Sequence, residues 1–119
     1  MFKKLKFDGF YIYKPKVHKD ERGNFRRHFC KNDFKKIGFK TNIVQGNVSE
    51  SLKKGTLRGF HYKSGKTKET KILSCITGEI YHVAIDLRKD SKTYLKSYSI
   101  IIKSTSFESI VVPPNCANA

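Results

Sequence analysis

Apolar and polar residues alternate in short runs along most of this chain, and only once does the spacing become helical. Residues 7–13, 24–29, 41–48, 56–62, 71–77, 79–87, 95–102 and 107–112 are runs of β-branched and aromatic residues, separated by Gly, Ser, Asn and Pro. Such runs read as strands, because branched and aromatic side chains suit a pleated surface and the punctuating residues suit turns. Thr77-Gly78 reads as a tight turn joining two of them, and Arg88-Lys89-Asp90-Ser91 as another break. The exception is Asn32-Asp33-Phe34-Lys35-Lys36-Ile37-Gly38. There Asn32 can cap a helix and Gly38 can supply its left-handed stop, over barely two turns. Many short strands at regular spacing predict one all-β domain over residues 1–119, a sandwich, barrel or jelly roll with one short helix near its N-terminal third.

Composition narrows the function. The 119 residues carry 25 Lys+Arg against 10 Asp+Glu, a formal charge of 25 − 10 = +15. A 13% aromatic content argues against disorder, which needs low hydrophobicity as well as charge. A basic small domain suggests nucleic acid, but only five of the basic residues are Arg, and the lysines run from Lys3 to Lys103. Arg is the residue suited to bidentate phosphate and guanine contacts. The charge therefore fits smaller phosphorylated ligands better than a nucleic acid. No apolar run approaches the roughly 20 residues of a membrane span, and Met1 to Asp8 lacks the core of a secretory signal, so a cytoplasmic protein is expected.

Cys30, Cys75 and Cys116 lie far apart, and His18, His28, His61 and His82 have no metal-ligand spacing. Reduced, buried thiols and no metal are expected. Residues 109–119 read as a strand followed by a turn with no polar tail. This ending predicts that the chain lacks the last part of its domain.

Four segments carry polar residues that packing alone does not explain. They are Asp20-Glu21-Arg22-Gly23-Asn24-Phe25, Val44-Gln45-Gly46-Asn47-Val48-Ser49, Leu57-Arg58-Gly59-Phe60-His61-Tyr62, and Lys71-Ile72-Leu73 with Gly78 to Arg88. Side chains alternate faces along a strand, so Leu57, Gly59 and His61 share one face, and Lys71, Leu73 and Cys75 share another. If those faces line a barrel, His61 and Lys71 both point inward. An imidazole beside a lysine in a partly dry pocket holds its proton weakly and serves as a base at neutral pH. The ammonium would stabilise an enolate oxygen. That pairing suits removal of a proton next to a ketone. Each residue alone has a plainer reading: a hydrogen-bonded strand histidine, a solvated lysine, a surface arginine.

Together, DERGNF, VQGNVSES, LRGFHY, the Lys71-Ile72-Leu73 strand, GEIYHVAIDLR with Ser91-Lys92-Thr93, and VPPNCANA resemble the dTDP-4-dehydrorhamnose 3,5-epimerases, in the order found in that family. The resemblance runs from about Asp20 to Ala119. It implies a cupin-like jelly roll, a homodimer with strands exchanged or shared, and no metal or organic cofactor. It implies a dTDP-linked 4-keto-6-deoxy sugar as substrate, epimerised at C3 and/or C5 for deoxysugar supply. His61 matches the catalytic base and Lys71 the residue that contacts the C4 oxygen. Arg22 and Arg58 match nucleotide-sugar-binding residues, and Gln45 and Asn47 match pocket residues that hydrogen-bond the ligand. Asn118 stands in the turn that completes the pocket.

Four positions depart from the family pattern. Lys63 replaces the usual Gln, His82 an acidic residue, Arg27 a Glu, and Asn118 a His. The family's acid tyrosine and the acidic partner of its base histidine both follow the turn at which this sequence stops. A chain complete at Ala119 is therefore expected to epimerise weakly or not at all. The alternative is a non-catalytic homologue of the same fold that binds a nucleotide-sugar or partners another epimerase subunit.

Overall fold

The structure, a computed structural model, describes residues 1–39 and 42–119. The strands are β1 (Phe2–Lys4), β2 (Tyr11–Tyr13), β3 (Val17–Asp20), β4 (Gly23–Arg26), β5 (Lys71–Ser74), β6 (Glu79–Asp86), β7 (Ser97–Lys103), β8 (Ser109–Val112) and β9 (Cys116–Asn118), with one helix, α1 (Lys31–Lys35). They form an antiparallel sheet ordered β1-β2-β8-β5, a second ordered β7-β6-β9, and the separate hairpin β3-β4. The all-β expectation holds, in the form of a cupin-like jelly roll.

Alternation along the strands builds two apolar layers. Ile12, Ile110 and Val112 of the larger sheet meet Ala84, Ile102 and Cys116 of the smaller one, with Phe7 and Phe10 closing that interior. The intervening residues Tyr13 and Val111 point to the opposite face of the larger sheet, where Phe34 of α1 covers them. Strand β8 is therefore central and covered on both faces, which is why Ser-Ile-Val-Val is buried throughout. Its one polar side chain, Ser109, is satisfied by Ser74 across the ladder at 2.6 Å. Phe10 and Phe34 are fully buried, and each such ring contributes roughly 1.5–3 kcal/mol relative to exposure.

Helix α1 begins after Cys30, which gives no side-chain cap, so Asn32 lies inside the helix instead of capping it. The expected stop is present: Gly38 has φ +82°, and the Phe39 N–H reaches back to the Phe34 carbonyl at 3.2 Å. Gly78, at φ +78°, turns the chain as expected. It carries the chain from β5 in one sheet to β6 in the other, so the turn does not close a hairpin.

The runs at 41–48 and 56–62 form no strand among the described residues, and Thr41 lies outside them. Residues 42–69 are all exposed, including Val44 at 95% and Leu52 at 91%. Alternation makes a strand only where a neighbour offers backbone partners. Among the described residues of these runs, His61 alone forms a bridge to a strand. Strands β1, β3 and β9 lie outside the predicted runs, and β3 and β9 carry little apolar alternation.

A buried carboxylate locks the end of β6. Asp86 is fully buried and accepts from the Arg88 guanidinium (2.8 Å at each oxygen), the Arg88 backbone N–H, Ser91 Oγ and Thr93 Oγ1 (2.6 Å each). Burial pushes its proton affinity up, but these donors outweigh burial and hold it well below the usual carboxylate range. The Asp-Leu-Arg and Ser-Lys-Thr signatures thus have a structural role. Arg88 also reaches the Asp8 carbonyl at 2.7 Å, tying the break after β6 to the N-terminal segment.

Candidate functional site

The candidate site lies where the 42–62 segment returns to the smaller sheet. The His61 backbone N–H donates to the Asn118 carbonyl at 2.8 Å, and the Asn118 N–H donates back at 3.1 Å. This one bridge extends the ladder β7-β6-β9 by a further position. Gly59 makes the approach possible: at φ +111°, its backbone lies so close to β9 that an added Cβ would sit 2.8 Å from the Asn118 carbonyl oxygen. A side chain there would collide with backbone, which cannot swing away.

The ladder fixes which side chains share a face. Asn118 stands opposite His61 on one side and opposite Ala84 on the other. Directly opposed residues project to the same face, and Ala84 belongs to the interior core. The register therefore sets His61 on the same side of the ladder as Ala84. Lys71 comes from the other sheet, and its Nζ donates to Asn118 Oδ1 at 2.7 Å. His61 and Lys71, ten residues apart in sequence, thus meet the same asparagine, one through backbone and one through side chain.

Two further residues adjoin the cluster: Glu69, which the sequence reading does not single out, and His82, which it names as a departure from the family pattern. Glu69 lies 3.8 Å from Lys71 Nζ and 3.0 Å from Lys63 Nζ. It spreads one negative charge over two ammonium groups and leaves Lys71 with donor capacity for an incoming oxygen. His82, two residues before Ala84 on β6, is 3% exposed, and neither ring nitrogen has a hydrogen-bond partner among the described residues. Burial, reinforced by the positive charge of Lys71, lowers its pKa to about 4. The dry imidazole beside the lysine is thus His82. His61 is exposed, contrary to the expectation of a desolvated base, because the segment that carries it touches the sheet only at that bridge.

The remaining candidate residues stand apart from the cluster. Arg22 pairs with Asp20 at 2.7 Å at the tip of the β3–β4 hairpin. Arg58 donates to the Glu50 carbonyl at 2.7 Å and to Ser51 Oγ at 3.3 Å. Gln45 and Asn47 bond each other at 3.1 Å. All four of these residues are exposed, and among the described residues no hydrogen bond or ion pair joins them to Lys71 or His61. Arg27 faces Asp33 at 3.8 Å, beside a basic cleft of about 470 Å³ that also includes Lys16, His18, Lys36 and the Phe25 ring. Cys116 is a buried thiol whose pKa burial pushes up to about 11, so it is no nucleophile at neutral pH. No three His, Cys, Asp or Glu side chains among the described residues group as a metal site. No described helix is long and apolar enough to cross a membrane.

Comparison with known proteins finds relatives over nearly the whole chain. The family model described as dTDP-4-dehydrorhamnose 3,5-epimerase matches residues 4–119. A dTDP-4-dehydrorhamnose 3,5-epimerase of Shigella flexneri is 36% identical over 108 residues, 90% of this chain and 59% of the relative. The crystal structure of the enzyme from Elizabethkingia anophelis superposes with a TM-score of 0.93 at 34% identity, covering 99% of this chain and 64% of that one. A dTDP-6-deoxy-D-glucose-3,5-epimerase from Legionella pneumophila, solved in complex with dTDP-4-keto-L-rhamnose, superposes at 0.92 with 32% identity, covering 99% and 62%. The chain spans about 60% of the length of these relatives. With the family model matched over nearly its whole length, the chain belongs to the dTDP-4-dehydrorhamnose 3,5-epimerase family.

Proposed function

We propose that this protein epimerises C3 and/or C5 of a dTDP-linked 4-keto-6-deoxy sugar, in deoxysugar biosynthesis of the rhamnose type. The observation that carries this reading is the meeting of His61 and Lys71, from opposite sheets, at Asn118. His61 acts as the base: its imidazole takes the proton from the carbon next to the ketone, and the C–H electron pair moves through the new C=C bond onto the C4 oxygen. Lys71 donates a hydrogen bond to that oxygen as its charge develops. Return of a proton to the opposite face of the carbon inverts the centre. The reaction is an isomerisation and needs no external oxidant or reductant.

Arg22 and Arg58 supply positive charge for the diphosphate, and Gln45, Asn47 and Asn118 supply hydrogen bonds to the ligand. The Legionella relative holds dTDP-4-keto-L-rhamnose, which supports this substrate class. We place the reaction in a reducing compartment, the cytoplasm, which suits three free cysteines. The protein works as a homodimer, because the exposed 42–62 segment bears apolar side chains that a single chain leaves uncovered. A second reading, a nucleotide-sugar-binding homologue without catalysis, is favoured by the exposure of His61.

Incubation with dTDP-4-keto-6-deoxyglucose, followed by proton NMR, separates the two readings. New C3 or C5 stereochemistry is expected. Unchanged sugar in the presence of measurable dTDP binding would establish the binding module instead.

A further inference from the structure

Lysine is among the side chains richest in rotamer freedom, yet a group that stabilises a developing oxyanion must be in place before the charge appears. Lys71 opens β5, where its backbone stands opposite Val112 of β8. From there the side chain, 22% exposed, crosses to the other sheet and donates from Nζ to Asn118 Oδ1 at 2.7 Å. Val112 and Asn118 lie on either side of the Pro113-Pro114-Asn115 turn. That turn therefore sets the distance between the backbone partner of Lys71 and its side-chain partner.

Asn118 is itself fixed from several directions. Its backbone exchanges two hydrogen bonds with His61, it stands opposite Ala84 on β6, and the following residue, Ala119, exchanges hydrogen bonds of 2.9 and 2.8 Å with Val83. A flexible donor is thus tied to a rigid acceptor. The chemistry of that acceptor also matters. A neutral amide oxygen orients the ammonium without cancelling its charge. Glu69 Oε1, at 3.8 Å, is beyond hydrogen-bond reach of Lys71, and Glu69 Oε2 accepts from Lys63 at 3.0 Å. An ammonium has three N–H donors, and among the described residues Lys71 commits one, to Asn118. Without that bond, the attraction of opposite charges would draw Lys71 onto Glu69.

Resting on the proposed reaction, we infer that Asn118 is a positioning residue. Its side-chain carbonyl holds the Lys71 ammonium against the pull of Glu69, so that the remaining N–H donors meet the C4 oxygen as its charge develops. The effect falls on the transition state more than on the bound substrate, because it acts through Lys71.

Steady-state epimerisation of dTDP-4-keto-6-deoxyglucose tests this. Asn118→Leu, close in size but without an acceptor, should lower kcat by about tenfold or more, and this fall should exceed any rise in KM. Adding Glu69→Gln to Asn118→Leu removes the competing charge and should restore part of the lost kcat. Neither a structural role nor a ligand contact of Asn118 predicts that recovery. In the unaltered protein labelled with ¹⁵N-lysine, the Lys71 ammonium protons, identified by their loss in Lys71→Gln, should exchange with water more slowly than those of exposed lysines. This last readout depends neither on turnover nor on the folding of an Asn118 variant. A rise in KM at unchanged kcat, no recovery with Glu69→Gln, or rapid exchange at Lys71 overturns the inference and leaves the proposed reaction standing. Absence of turnover by the unaltered protein overturns the reaction and the inference together.

Discussion

A single buried imidazole gives this protein a measurable pH signature. Burial, reinforced by the charge of Lys71, lowers the His82 pKa from the ordinary 6.5 to about 4, so its neutral form is favoured in the folded chain and the unfolded chain binds the proton more readily. The contribution is therefore fully present above pH 6.5 and is lost as pH falls towards 4. Over the 2.5 units between these values the loss is roughly 3 kcal/mol, at about 1.4 kcal/mol per unit. Lys71 is the charged group that opposes His82 protonation. Urea unfolding of the protein and of His82→Leu between pH 7 and 4 isolates this contribution. The difference between their stabilities should shift in favour of His82→Leu by about that amount as the solution is acidified. Parallel pH curves would show that His82 is not desolvated.

At the scale of elements, the site depends on the bridge between His61 and Asn118, and the bridge depends on Gly59. Replacing Gly59 by Ala places a Cβ 2.8 Å from the Asn118 carbonyl oxygen and 2.9 Å from Ala119 Cα, at a φ of +111° that side chains rarely adopt. Gly59→Ala should destabilise the fold by about 1–3 kcal/mol and raise amide hydrogen exchange at His61 and Asn118. Gly46 has open space around its Cβ position, and Gly46→Ala should change stability by less than about 0.5 kcal/mol. Similar effects of the two substitutions would contradict the role of the close approach. Such contacts also mark the limit of what the sequence discloses. Runs such as 79–87 and 107–112 are legible because alternation and branching act locally and both strands find neighbours. Residues 56–62 carry the same local signal but lack a neighbouring strand along most of their length. His61 and Lys71 are legible as same-face candidates, while Asn118 as their meeting point, and Glu69 as the shared counter-ion, follow only from how the two sheets close on each other.

At the scale of the whole molecule, the two-layer core is closed around Ile12, Ile110, Val112, Ala84 and Ile102, whereas the segment that carries Gln45, Asn47, Arg58 and His61 lies outside it. Val44, Val48, Leu52 and Leu57 are all more than four-fifths exposed there. Burying them against a second chain would cover the segment and bring Arg58 into a more enclosed setting. Sedimentation equilibrium should give twice the mass of the chain, and Val48→Lys should shift the population towards monomer. A monomer at all concentrations would contradict the dimer. The central claim, however, concerns the reaction at His61 and Lys71. Its most direct test is deuterium incorporation at C3 and C5 of dTDP-4-keto-6-deoxyglucose in D2O, followed by NMR. Incorporation by the protein, its loss in His61→Asn, and a reduction of about 10²-fold or more in Lys71→Gln are expected from the loss of the base and of enolate stabilisation. Incorporation that persists unchanged in His61→Asn would show that another group removes the proton and would contradict the account.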